Sequence, residues 1–339
     1  MRLRRWFRFR SQLLFVLVFV SACGFAKLHY WLEHVRQREQ AIEELTSHGF
    51  YLYFESDNKS NSKEPPGPAW LRHWTAEHAF ARLDVFSSEF TLPMLSSGAY
   101  RLRIDERIVT KLLLFPELKG VHLHPGTISD DSLAQIAQLP NLQDLTLSRM
   151  KLAAAGLAPL GNLKHLRSLD LEDTPLDSGA VAVLTQLSSL EKLDLSGTGI
   201  SDADLQHFAH LQSLTSLDLS RTEVTDAGCV QLSQLEALEW LDLSFTQVTD
   251  AGIERMQNLE KLCTLNVGEC PVTGQGVRHL RRYKSLQTLG LAATNIDNRD
   301  VAQLEAMSRL QHVILYQTGI SSERVDLLQA RLPQLYIEH

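Results

Sequence analysis

Paired cysteines, catalytic signatures and an excess of positive charge are all missing from this chain. Its four cysteines, Cys23, Cys229, Cys263 and Cys270, form no C-x-x-C pair or other zinc spacing and are too few to build a disulfide scaffold. No G-x-S-x-G, H-E-x-x-H, Walker or G-x-G-x-x-G string occurs. The nucleophile elbow, the zinc helix and the phosphate-cradling loop therefore have no carrier, and no cofactor is expected. Charge excludes a further class. The 33 bases face 40 acids, and Arg2, Arg4, Arg5, Arg8 and Arg10 fall in the first ten positions, which leaves 28 bases for the rest. An acidic body lacks the electrostatic footprint of phosphate-backbone binding, so nucleic acid is not an expected partner.

Long apolar runs are scarce too. One uncharged stretch runs from Ser11 to Ala26, and a spanning helix needs about 20 residues. It reaches that length by snorkelling Lys27 and using Leu28, Tyr30, Trp31 and Leu32 as an interfacial belt. Residues 1–27 are therefore expected to be an arginine cluster and a single-pass membrane anchor. The arginines hold the N-terminus in the cytoplasm and send the remainder outward. Two alternatives stay open. Val20-Ser21-Ala22-Cys23 fits the small-residue pattern before a lipidated cysteine, which would make Cys23 the acylated first residue. The segment also fits an ordinary cleaved signal. All three place the body outside the cytoplasm.

Residues 28–54 are expected as an amphipathic helix, with Leu28, Trp31, Leu32, Val35, Ile42 and Leu45 at helical spacing, followed by a short strand. The Pro/Ser/Asn-rich residues 55–68 read as a linker. Residues 69–117 read as an N-terminal cap with a degenerate repeat, its part from Phe86 to Glu117 an irregular insertion.

From Leu118 the pattern L-x-x-L-x-L recurs at Leu142, Leu166, Leu190, Leu214, Leu238, Leu262, Leu286 and Leu310, a period of 24 without a slip. Strand residues alternate faces, so the fourth and sixth positions, such as Leu193 and Leu195, point inward. A further apolar column runs from Ile128 to Ile320. Two more, Leu133 to Val325 and Ile136 to Leu328, lie three apart within each unit and form one helix face. Ser129, Ser201, Thr225, Thr249, Thr273 and Ser321 precede these helices as N-cap signals, with Asp202, Asp226 and Asp250 following in the first turn. The ninth position is Thr174, Thr198, Thr222, Thr246, Cys270, Thr294 and Thr318, whose hydroxyl or thiol is expected to satisfy turn backbone. Period and pattern are those of leucine-rich repeats, one strand and one helical segment per unit. The fold class expected for residues 118–339 is thus an α/β leucine-rich-repeat solenoid, a horseshoe with a parallel concave sheet and helices on the convex side. Pro333 ends the last helix, and Leu335-Tyr336-Ile337 closes the array.

The whole chain resembles a family of bacterial membrane-anchored leucine-rich-repeat proteins. The pieces that carry the likeness are the Arg-rich start, the run Val35-Arg36-Gln37-Arg38-Glu39-Gln40-Ala41, the cap Pro66-Gly67-Pro68-Ala69-Trp70-Leu71-Arg72, and turns like Val248-Thr249-Asp250-Ala251-Gly252-Ile253. The resemblance implies architecture and no assigned reaction.

Candidate site residues lie at the exposed third, fifth, seventh and eighth positions of the strands. Trp240 and Phe245 share one unit with Arg221 beside them, and Lys192 stands in the same third-position column as Trp240. Trp, Tyr and Arg are the types enriched at interface hot spots. Asp170, Asp194, Asp218 and Asp242 form a like-charged fifth column, spaced about 4.8 Å, which either recruits a cation or basic partner or is screened by solvent. His122 and His124 share a strand face without a third ligand, which is an incomplete zinc set. His312, Ile314 and Tyr316 form a weaker cluster that meets the closing segment. The reading is a membrane-anchored extracytoplasmic protein-binding scaffold without catalysis, partner unknown. The alternative is a structural envelope or membrane-surface protein.

Overall fold

The computed structural model describes residues 29–30, 32–45, 47, 50–53, 102–103, 106–123, 126–152 and 157–339. The expected anchor, Cys23, the linker and most of the cap lie outside these residues. Among the described residues no helix is long and apolar enough to cross a membrane. Two compact units divide the chain, residues 1–47 with 59–91, and residues 48–58 with 92–339.

In the first unit residues 32–45 are helical. Its covered stripe consists of Val35, Arg38, Ala41, Ile42 and Leu45, spaced three and four apart, with Ala41 and Leu45 buried. Leu32, expected on that stripe, is exposed.

The second unit is the repeat array. Its sheet, eleven strands among the described residues, runs in chain order from Phe50–Tyr53 through Gly120–Leu123 to Tyr336–Glu338. All pairings are parallel except the first, where Phe50–Tyr53 runs antiparallel to Gly120–Leu123 with Tyr51 opposite His122. The strand expected near residue 50 thus covers the edge of the array, a role its distance from the first repeat conceals. At the other edge Tyr336–Glu338 pairs with His312–Ile314, as the closing half-unit requires.

Packing follows the columns. Leu193, Leu217, Leu241 and Leu265 stack in register at the fourth position, and Leu195, Leu219, Leu243 and Val267 at the sixth, all buried. Each such side chain contributes roughly 1.5–3 kcal/mol by leaving water. The helix columns meet them from the other side, with Leu205, Cys229, Ile253 and Val277 buried beside Phe208, Leu232, Met256 and Leu280. Where Pro159 enters the first turn, the segment Ala158–Asn162 is 3₁₀ instead of α-helix. Residues 106–117, expected within an irregular insertion, are ordered helix and 3₁₀ helix at Glu106–Val109 and Thr110–Leu114. Val109 and Leu112 are buried 24 residues ahead of Leu133 and Ile136, so the helix columns begin one unit before the strand motif does.

Two polar ladders run along the array, the first closing the turn within each unit except at Cys270, the second joining one unit to the next. Thr198, Thr222, Thr246 and Thr294 donate their hydroxyls to the carbonyls of Leu195, Leu219, Leu243 and Leu291, and the Cys270 thiol donates to Leu243. Asp202 and Asp250 stand in the first helical turn as expected, whereas Asp226 precedes the helix Gly228–Leu232, and the second ladder gives all three acids a further role. Asp202 accepts from the backbone N–H of Thr225 at 2.8 Å and of Gly228 at 2.9 Å in the next unit, and Asp226 and Asp250 accept from Thr249 and Thr273 likewise. The hydroxyls of Thr225, Thr249 and Thr273 close the same pairs at 2.6–2.7 Å. A Cβ at Gly252 would lie 2.5 Å from Asp226 Oδ1, which explains the glycine of the Thr-Asp-Ala-Gly turn.

Candidate functional site

On the strand side, third-position side chains alternate small and large across four units: Ser168, Lys192, Ser216, Trp240. The small members leave a shallow depression of about 290 Å³, walled by Trp240 and Lys192 and flanked by Asp170, Asp194 and Asp218. Trp240 is half-buried and Lys192 exposed. The sequence pattern carried this signal in its serines, whose smallness makes the space.

The carboxylates are less solvated than a screened surface ladder would be. Asp218 is half-buried and its Oδ1 accepts from the Ser220 N–H at 2.9 Å. Burial pushes its carboxyl up to about 6, with the Ser220 hydrogen bonds opposing and the charges of Asp242 and Asp194 adding. Burial raises Asp194 too, against its bonds from Ser196. The seventh-position serines, expected at the surface, are buried at Ser196 and Ser244 because they turn their hydroxyls onto Asp194 and Asp242 at 2.7 Å and 2.6 Å.

A folded-state pKa raised above the unfolded value means that the folded chain binds the extra proton. The Asp218 contribution is therefore fully present below pH about 4, the unfolded value, and is lost as pH rises through about 6. His122, whose pKa burial lowers, acts in the opposite direction. The difference between wild type and Asp218→Asn isolates the carboxylate. The variant is expected to gain thermal stability relative to wild type at pH 7.5, and to lose that advantage at pH 4.5, by about 2 °C or more in Tm. An equal difference at both pH values would remove the desolvation argument.

The eighth position behaves differently from the third. Arg149, Asp173, Gly197, Arg221, Phe245, Glu269, Ala293 and Gln317 all adopt left-handed backbone, with φ from 51° to 65°. The N–H groups from Arg149 to Ala293 continue the ladder to the next unit, as Arg221 does to Ser244 and Phe245 to Gly268 at 2.9 Å. Only Gly197 suits this conformation without strain. Its missing side chain also opens the way for Arg221, whose guanidinium reaches Asp173 at 3.1 Å and Glu172 at 3.2 Å. Arg149 joins the same acids from the opposite side.

The expected cluster therefore divides. Trp240, Lys192 and Asp218 share the depression. Arg221 turns toward acids two units earlier and does not flank Trp240. Phe245, 57 % exposed, stands on the strained turn outside the depression's lining. Asp242 is engaged on both oxygens, by Ser244 and by the Asn266 amide at 2.7 Å.

The other candidates resolve in structural roles. His122 Nδ1 lies 2.7 Å from the Thr146 hydroxyl, and His124 is outside the described residues. Among the described residues no three metal-ligating side chains converge. Cys229 and Cys270 are buried free thiols, the first pushed up to about 12 by desolvation, which makes it unreactive. His312 meets the closing segment, pairing with Glu338 at 2.8 Å and stacking near Tyr336.

Comparison with known proteins adds the following. The sequence pattern of a family described as a leucine-rich repeat region matches residues 150–339. No curated protein matches. Among solved structures, an internalin (inlF) from Listeria monocytogenes is similar at 21% identity, covering 68% of this chain and 76% of its own, with a TM-score of 0.48. Internalin C2 from the same organism aligns at 27% identity over 62% of this chain and 83% of its own, TM-score 0.47. A leucine-rich-repeat protein of Leptospira interrogans aligns at 18% identity over 68% of each, TM-score 0.45.

Proposed function

The chain belongs to the leucine-rich-repeat family, and from that premise we propose that it is a membrane-anchored, extracytoplasmic scaffold that binds a protein partner through the strand face around Trp240. The observation that carries this reading is the depression itself, an indole wall beside desolvated carboxylates. A ring face and uncompensated negative charge together suit a lysine or arginine side chain of a basic segment. Lys192 at the rim supplies a hydrogen-bond donor for that segment's backbone carbonyls or acidic neighbours. Asp218 supplies a charge lining the depression with Trp240, and Asp242, already bonded twice, holds the adjacent turn.

Attachment through residues 1–27 is supported by the uncharged stretch after the arginine cluster, either as a retained helix or through an acylated Cys23. The cell membrane is the localisation this implies, with the array outside the cytoplasm. The scaffold needs no cofactor and performs no reaction in this reading.

The test is capture of the partner by the full chain and by Trp240→Ala. Truncating a hot-spot tryptophan is expected to weaken capture by about 2 kcal/mol, roughly thirtyfold in Kd, with the fold retained. Equal capture by a folded Trp240→Ala chain would reject the site.

A further inference from the structure

The overall acidity of the chain hides one stretch of the opposite sign. From Cys270 to Ile296 no Asp or Glu occurs, while Arg278, Arg281, Arg282 and Lys284 fall within seven positions. They occupy the last turn of the helix Gly274–Leu280 and the turn after it, on the helix side of the array. Arg282 Nη2 donates to the carbonyls of Ile253 at 2.6 Å and Glu254 at 2.8 Å, which sets it beside Arg255 of the preceding unit. From the following unit Arg309 Nη1 donates to the Lys284 carbonyl at 3.2 Å. Cations of three successive units thus converge. At the equivalent places of the adjoining units the acids are Glu254, Glu260 and Glu305, and Glu305 is held by Arg331. Helix-end carbonyls account for Arg282. They do not account for Arg278, Arg281 and Lys284, which are exposed and, among the described residues, form no ion pair.

We propose that this patch docks the helix side of the array on the anionic phospholipid surface of the membrane that anchors the chain. The inference rests on the anchoring reading above. Charge complementarity selects the occupant: a planar field of lipid phosphates matches cations spread over three units, whereas the strand face carries Asp144, Asp170, Asp194, Asp218 and Asp242 and is repelled by the same surface. Each Lys or Arg near such a surface gains about fivefold in partitioning, so the three exposed cations gain on the order of a hundredfold. That is weak for a free protein and sufficient for a tethered one, whose effective concentration at the bilayer is already high. Docking by the helix side leaves the Trp240 depression facing away from the lipid.

The full chain is reconstituted into phosphatidylcholine vesicles with and without phosphatidylglycerol, floated, and treated with a membrane-impermeant acetylating reagent. Acetylation of Lys284 is read by mass spectrometry relative to Lys192, which lies on the strand face. The ratio is expected to fall several-fold in the anionic vesicles, to recover in high salt, and to become independent of lipid in the Arg278→Glu, Arg281→Glu double variant. A ratio unaffected by lipid in chains that float with the vesicles overturns this inference alone. Chains that float with neither vesicle overturn the anchoring reading and this inference together. Protection of Lys284 by inorganic phosphate in neutral vesicles marks a free-anion site and overturns the lipid assignment.

Discussion

Leu217→Asp is expected to unfold the middle of the array. Leu217 is fully buried between Leu193 and Leu241 of the neighbouring strands, so the carboxylate would enter a column with no partner for its charge. Losing the leucine and burying an unpaired acid together cost roughly 4 kcal/mol or more. In a solenoid each unit is held by its two neighbours, so the loss falls on both interfaces of the Leu214 unit and separates the flanking halves. Hydrogen exchange should show protection lost across the strands from Lys192 to Asp242. Leu217→Met, which conserves volume, should cost less than about 1.5 kcal/mol. Unchanged melting of the Asp variant would mean that the inward column is wrongly placed.

The second large effect concerns the acid of the Thr-Asp-Ala-Gly turn. Asp226→Ala leaves the Thr249 N–H without its 2.7 Å acceptor and the Thr249 hydroxyl without its partner at the same distance. Hydrogen bonds to a charged group contribute about 1.5–3 kcal/mol, so chemical denaturation should report a loss of about 2 kcal/mol. Asp226→Asn should lose less than half of that, because the chain itself uses this exchange: Asn298 Oδ1 accepts from the Ser321 N–H at 2.8 Å at the equivalent place. If alanine and asparagine are equally damaging, the charge and not the acceptor geometry holds the units together.

The fold was legible because its information is periodic. A leucine at the first position means the same thing nine times over, and an error at one unit is outvoted by the others. What escaped is what depends on the distance between columns or on chain far from the array. The buried column Leu139, Leu163, Leu187, Leu211, Leu235 and Leu259 has the same period as the strand motif, yet it lies in the turn and belongs to neither the strand nor the helix pattern. The antiparallel partner at Phe50–Tyr53 lies about seventy residues before the strand it covers. Asp226 read as a first-turn acid favoured by the helix dipole; its acceptor role is set by a backbone 23 residues later.

The site was legible in part, for a similar reason. Trp240 and Lys192 stand out as large residues in one column, and the structure puts both at the depression. Arg221 and Phe245 are near Trp240 in the sequence, but their left-handed backbone carries them off the strand face. Where Arg221 points is decided by Gly197 and by the acids Glu172 and Asp173, up to 49 residues away. The charge of the fifth column was visible, whereas its desolvation depends on the neighbouring strands and cannot be seen in any one repeat.

The most direct test of the binding claim places a photo-crosslinking amino acid at position 264, whose strand partner is Trp240, in the full chain in its native membrane. The comparison is with position 230, where Val230 is exposed on the helix side. A discrete protein adduct is expected from position 264, absent from position 230 and lost when Trp240→Ala is added. Adducts of equal yield from both positions, or an adduct at 264 that persists without Trp240, would contradict the account.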